Sequence, residues 1–173
     1  MKVPEDALVA FGSNLGNSLE ICMESIRALS RHPRIHLCQV SSFYRTQPVG
    51  CRDQGWFING VVRVETGLAP RALLAELLRI ESLFGRERRN RWGPRTLDLD
   101  LLFYGDHVIE SPALVLPHAA ICERRFVLEP LVEIQPERVH PVSLKSVSQL
   151  LKELNLTAHE QQIERMDGIC FAP

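Results

Sequence analysis

Asp98 and Asp100 stand two positions apart in the stretch Arg91-Trp92-Gly93-Pro94-Arg95-Thr96-Leu97-Asp98-Leu99-Asp100-Leu101-Leu102. The alternation with Leu97, Leu99 and Leu101 reads as a strand, so both carboxylates project from one face, their Cα atoms ~7 Å apart. Like charges held side by side on a half-buried strand repel, and each loses hydration. A divalent cation between them relieves both effects. Mg²⁺ is commonly held by one or two carboxylates together with substrate phosphates. The neighbouring guanidiniums suit bidentate contact with phosphate oxygens. The chemistry such a set could support is phosphoryl-type transfer from a nucleotide. The bland reading of the same residues is a solvated edge strand whose aspartates are neutralised by the arginines, and a bare D-x-D does not separate the two. The arginine turn shaped by Gly93-Pro94 favours the first.

Other groups able to do chemistry are more equivocal. Arg86, Arg88, Arg89, Arg91 and Arg95 crowd ten residues with only Glu87 opposing them. A charge run is usually a solvated face. Arg95 differs, because stiff Pro94 and the strand hold it near the aspartates, whereas Arg86 also suits the negative end of a helix dipole. His118 follows Pro117 and precedes the pair Arg124-Arg125, so structural and phosphate-facing roles both stand. Phe57 and Phe126 are either core residues or a clamp on a flat ring. Asn59 shares the strand face of Phe57 and offers both donor and acceptor. Gly12-Ser13-Asn14-Leu15-Gly16-Asn17 lies between a strand and a helix, but lacks G-x-x-x-x-G-K-[ST] and G-x-G-x-x-G. It reads as a tight turn with Asn17 or Ser18 capping the helix, against a P-loop kinase or Rossmann enzyme.

The elements that must position these residues follow from periodicity. Ala7–Phe11 is a short strand, and Ser18–Ser30 a helix with Leu19, Met23, Ile26 and Leu29 near helical spacing. His36–Tyr44 is a second strand, rich in β-branched and aromatic residues. Phe57–Glu65 is a third, after a loop at 45–55 holding Pro48 and Gly50. Pro70 opens a helix whose apolar face is Leu73, Leu74, Leu77, Leu78 and Ile80, and Gly85 stops it. Leu97–Phe103 is the fourth strand, closed by Tyr104-Gly105-Asp106. The order β-α-β-β-α-β is that of a ferredoxin-like α+β unit, an antiparallel sheet with helices on one face and a site on the other. A last helix near Val147–Leu154 and a tail from Thr157 are C-terminal additions.

Composition narrows the class. A chain of 173 residues predicts a single domain spanning 1–173, with 157–173 as a tail of no assigned role. The net charge of −1 gives no global attraction to nucleic acid or anionic membrane, so any basic site is local. No apolar run approaches a membrane span, and the first residues lack a signal-peptide core. Five scattered cysteines without Cys-x-x-Cys predict free thiols and a reducing cytoplasm.

Taken in order along the chain, these residues resemble the 6-hydroxymethyl-7,8-dihydropterin pyrophosphokinase family. The long motif at Arg91–Asp100 carries most of the likeness. Phe11-Gly12-Ser13-Asn14-Leu15-Gly16, Ser41-Ser42-Phe43-Tyr44-Arg45-Thr46, Phe57-Ile58-Asn59, Arg79-Ile80-Glu81 and Pro117-His118 support it over about Ala7–Val139. The resemblance implies transfer of diphosphate from ATP to the pterin hydroxymethyl group, giving AMP and the pterin diphosphate in tetrahydrofolate biosynthesis. It implies ATP as co-substrate and two Mg²⁺ ions on Asp98 and Asp100. It places Glu81, Arg86, Arg88, Trp92, Arg95, His118 and Arg124 at the nucleotide, with Arg86 and Arg95 also among the catalytic groups. Phe57 and Phe126 would sandwich the pterin, Asn59 would bond its edge, and Thr46, Pro48 and Val49 would add contacts. Loops 45–56 and 85–92 match the family's closing lids.

Three departures mark this chain: Ala119 where some relatives carry an aromatic, Gln47 where a second proline is frequent, and a slightly short 85–92 loop. No protein base is evident, and none is assigned. The expectation is a cytoplasmic monomer acting on small molecules, with no nucleic-acid or membrane partner. The runner-up is an RNA-recognition-type module of the same strand order, although Phe57–Glu65 lacks an RNP1-like pattern. A third reading is an ordinary kinase moving only the γ-phosphate.

Overall fold

The structure is a computed structural model and describes residues 3–48, 54–85, 95–157 and 161–172. Its central strand is β1 (Glu5–Ser13), buried from Ala7 onward. Both faces of β1 are therefore covered, which is why residues 7–11 read as an apolar run rather than an alternation. Two strands, β2 (Ile35–Val40) and β3 (Tyr44–Thr46), replace the single one expected over His36–Tyr44. The break falls at Ser41-Ser42, whose side chains take over backbone partners: Ser41 Oγ accepts from Val61 N–H at 2.9 Å. Ser42 N–H turns away to Glu133 Oε1 at 3.0 Å. Both strands pair antiparallel with β4 (Phe57–Thr66), which pairs with β1 in turn. On the other side of β1 lies β5 (Asp98–Tyr104), also antiparallel. Three further strands go beyond those the sequence predicts: β6 (Ile109–Ser111) and β7 (Leu114–Leu116), which form a hairpin, and β8 (Ile163–Arg165), which pairs with β3. The main sheet runs β5-β1-β4-β3-β8, with β2 also on β4.

Helices α1 (Ser18–Ser30) and α2 (Pro70–Leu83) lie on one face, where Ile26, Leu29, Leu73, Leu77 and Ile80 meet Val9, Phe11, Val62, Leu99 and Leu101. Gly85 takes φ 72°, and its N–H bonds Ser82 O at 3.1 Å, so glycine ends α2 in the left-handed conformation as its position predicts. The expected cap at α1 is different. Asn17 occupies the cap position without a side-chain cap bond and donates instead to Glu20 Oε2 at 2.7 Å.

Helices also cover part of the opposite face, which corrects the expectation of helices on one side only. There Leu8, Ala10, Val61 and Phe103 pack under Val127, Leu128 and Leu131 of α3 (Arg125–Ile134) and Val147 and Leu150 of α4 (Val147–Thr157). Pro130 inside α3 hides it from a propensity reading, but 127, 128, 131 and 134 hold helical spacing and are buried. Each such aliphatic side chain contributes roughly 1.5–3 kcal/mol by leaving water. Glu133 of α3 fastens the helix to the sheet edge, accepting from Ser42 Oγ and from Tyr44 Oη, both at 2.8 Å. The result is a second face only partly roofed, with open floor at the ends of β1, β4 and β5.

Candidate active site

Strand register builds the floor. Asp98 lies opposite Gly12, Gly12 opposite Asn59, and Asp100 opposite Ala10. Cross-strand partners share a face, so Asp98, Asp100, Asn59 and, two residues back, Phe57 all look the same way. This is the face roofed by α3. They line one cavity of about 300 Å³ with Thr46, Pro48, Arg95, Arg124 and Phe126. Thr46 pairs with Phe57 across β3–β4, and Asn59 Nδ2 donates to Thr46 Oγ1 at 2.6 Å. Gly12 is there because a Cβ would stand 2.5 Å from Asn59 Oδ1. The bare backbone between the acid and the amide is what lets Asn59 lie over the sheet.

Guanidiniums meet the acids from two sides. Arg95 Nη1 bonds Asp98 Oδ2 at 2.5 Å, and Arg124 Nη1 bonds Asp100 Oδ2 at 2.9 Å. Arg124 enters from the residue preceding α3, and its guanidinium carbon lies 5.8 Å from the centre of the Phe126 ring. It therefore joins the charged end of the cavity to the aromatic end. Arg95 is held by Asn14: Asn14 Oδ1 accepts Arg95 N–H at 2.7 Å, and Asn14 N–H bonds Arg95 O at 3.1 Å. Gly12 and Ser13 complete β1 rather than opening the expected turn, and Asn14 just after the strand clamps Arg95. Sequence reasoning had the motif but not this partner, because the two are far apart in the chain.

His118 is fixed by its N–H bond to Leu102 O at 2.9 Å. Its Nδ1 accepts from Ala120 N–H at 3.2 Å, which leaves Nε2 to carry the proton in the neutral ring. Nε2 lies 3.8 Å from Asp100 Oδ2. Burial pushes the imidazole below its ordinary value, outweighing the Asp100 charge that pulls it up. The ring is a neutral N–H donor near pH 7, aimed at the acidic end.

Glu81 stands apart from this group. It is 2% exposed, on the α2 side of the sheet, and its Oε1 accepts Leu99 N–H at 2.8 Å. Arg86, Arg88, Trp92 and Val49 lie outside the described residues. Gln54, Glu123 and Gln161 line the cavity without having been anticipated. For Gln161 no sequence signal existed, since the tail carries no motif.

Among the described residues no three His, Cys, Asp or Glu side chains converge on one point. The donor set is two carboxylates on one strand face, which fits a hard cation completing its shell with water and substrate phosphate rather than a cage made wholly by protein. Asp98 and Asp100 would hold such an ion. The arrangement can thus bring a polyphosphate, over acids and guanidiniums, against a flat ring seated between aromatic side chains.

Residues 8–136 match the family model for 7,8-dihydro-6-hydroxymethylpterin-pyrophosphokinase. A 2-amino-4-hydroxy-6-hydroxymethyldihydropteridine pyrophosphokinase of Haemophilus influenzae is 43% identical over 85% of this chain and 91% of its own length. The enzyme of that name from Synechocystis is 43% identical over 88% of this chain and 77% of its own. Among solved structures, a Plasmodium falciparum HPPK-DHPS chain superposes with TM-score 0.74 over 91% of this chain at 17% identity, a likeness of fold. This chain spans 45% of that one. The chain belongs to the 7,8-dihydro-6-hydroxymethylpterin-pyrophosphokinase family.

Proposed function

We propose that this chain transfers the diphosphate of ATP to the hydroxymethyl group of 6-hydroxymethyl-7,8-dihydropterin, releasing AMP, as a step of folate biosynthesis. The observation that carries it is the single cavity in which Asp98, Asp100, Arg95 and Arg124 adjoin Phe57, Asn59, Thr46 and Phe126. We read the acidic end as the seat of the triphosphate and the aromatic end as that of the pterin, Asn59 bonding its edge and Phe57 and Phe126 flanking its faces. Pro48 borders the same end, and Val49 is assigned beside it.

Asp98 and Asp100 would hold Mg²⁺, two ions in this reading, which would supply neutralisation of phosphate charge and easier loss of the hydroxyl proton. No protein general base is assigned. Arg95 and Arg124, paired with Asp98 and Asp100, are placed to bond phosphate oxygens at this end of the cavity. His118 donates Nε2–H to a phosphate oxygen without adding full charge. Arg86, Arg88 and Trp92 are assigned to the nucleotide, Arg86 also to the transferring group. We assign Glu81 to the fold rather than to ATP, because it is buried on α2, where its Oε1 accepts Leu99 N–H.

The finer reading of the sheet is ferredoxin-like: β5-β1-β4 with β2 and β3 together as the second strand of the unit, and residues 1–173 one domain. We propose a cytoplasmic monomer. Among the described residues no helix is long and apolar enough to cross a membrane. The RNA-recognition alternative is not favoured, since the family is one of pyrophosphokinases.

The test is product analysis after incubation with ATP, Mg²⁺ and the pterin. Pterin-dependent AMP is expected, abolished by EDTA and restored by Mg²⁺. ADP in its place would convert the assignment to an ordinary kinase, and no turnover by folded protein would overturn it.

A further inference from the structure

The C-terminal segment lies beyond the residues matched by the family model, which end at 136. Even so, it reaches the site. β8 pairs with β3 so that Thr46 faces Ile163 and Tyr44 faces Arg165. Side chains of one parity share a face, so Ile163 and Gln161 look the same way as Thr46, and Gln161 lines the cavity.

Both backbone polar groups of Gln47 are taken by the tail. Gln47 N–H donates to Gln162 O at 3.0 Å, and Gln161 Nε2 donates to Gln47 O at 3.3 Å. Proline at 47 would lack that N–H, so the clasp belongs to the residue this chain carries there. Gln161 O also accepts from Arg125 Nη1 at 3.4 Å, tying the tail to the first turn of α3 beside Phe126. The far end is anchored independently. Met166 N–H bonds Phe43 O at 2.9 Å, and Met166, Ile169 and Phe171 pack against the core beneath. Arg27 lies over the Phe171 ring at 5.7 Å.

β3 is three residues long and has β4 on one side. Without β8 its other edge would be bare, and a strand so short holds its place weakly. Thr46, the partner of Asn59, sits at its end. The geometry points to a positioning role: we propose that residues 161–166 are a strap that sets the spacing between the Thr46–Phe57 wall and the Phe126 wall, and so tunes affinity for the flat-ring substrate. The assignment of that substrate to this end rests on the function proposed above.

Two variants of the full chain test it. Alternation of the ladder makes Glu164 and Arg45 a hydrogen-bonded pair, because Gln47–Gln162 is one, so Glu164→Pro removes a donor from the strap. Gln161→Ala keeps the strand and removes the clasp on Gln47 O. Both variants should raise the KM for the pterin about tenfold while the KM for ATP stays within about twofold. Amide exchange at 44–47 should quicken in Glu164→Pro relative to wild type. If Glu164→Pro does not fold, Gln161→Ala decides by the same KM comparison. A pterin KM unmoved in the folded variants, equal rises for both substrates, or unchanged exchange at 44–47 would overturn the strap. Should wild type fail to use the pterin, the substrate reading fails, and exchange still decides whether the tail holds β3.

Discussion

Replacing Gly12 with alanine tests the floor of the site without touching any charged group. The added methyl would stand 2.5 Å from Asn59 Oδ1 and 3.6 Å from Asn59 Cγ, so one oxygen takes nearly all of the clash. Gly12 is not among the positive-φ glycines, so alanine is not strained by the backbone. The relief available is rotation of Asn59, which breaks its 2.6 Å bond to Thr46 Oγ1 and turns its amide from the cavity. An amide turned from the cavity no longer bonds the edge of the pterin, and losing a contact of that kind costs ~1–3 kcal/mol, roughly fivefold to a hundredfold in affinity. The expected result is a pterin KM raised by that factor, with the ATP KM within about twofold and a small drop in Tm. Steady-state kinetics varying each substrate at saturation of the other, with a thermal melt, measure all three. A pterin KM within twofold of wild type in folded protein would refute the reasoning, and so would equal losses for the two substrates.

Asp98→Ala and Asp100→Ala should each lower kcat at least about 100-fold with little change in Tm, since each acid is assigned to cation and phosphate rather than to the core. Near-normal turnover of both would end the metal assignment. Glu81→Ala leaves the buried Leu99 N–H without its carboxylate and should cost about 2 kcal/mol of stability in a denaturant titration, while the ATP KM at low temperature is kept. An unaltered midpoint with a raised ATP KM would return Glu81 to the nucleotide. For pH, burial holds His118 and His140 below their ordinary 6.5. The unfolded chain therefore takes up protons first on acidification, and stability present above about 6.5 is lost as pH falls through 6.5 toward the lowered folded values. Tm measured from about pH 8 to about pH 5 should fall, and a flat or rising profile would contradict the burial of both rings.

Much of this site was legible because its evidence is local. A D-x-D on an alternating strand places two acids on one face whatever surrounds them, and Phe57 with Asn59 follows the same rule of two. Proline at the first turn of α2 and glycine after its end bracketed that helix for equally local reasons. Less legible was β2–β3, where an apolar and β-branched run hid a break made by two serine hydroxyls and a distant glutamate. α3 was concealed by Pro130, although its buried positions keep the helical spacing.

By itself, then, the sequence determined the two acids, their facing, the arginine supply and the strand and helix order that made the family recognisable. Tertiary structure alone decided which partners those groups acquired. Asn14 on Arg95, Arg124 on Asp100, Glu81 under Leu99 and Gln161 on Gln47 are pairs well separated in the chain. The physical reason is one of range. Side-chain facing is set by backbone geometry within a few residues, whereas hydrogen-bond partners and burial are set by which surfaces the folded sheet and its helices bring together.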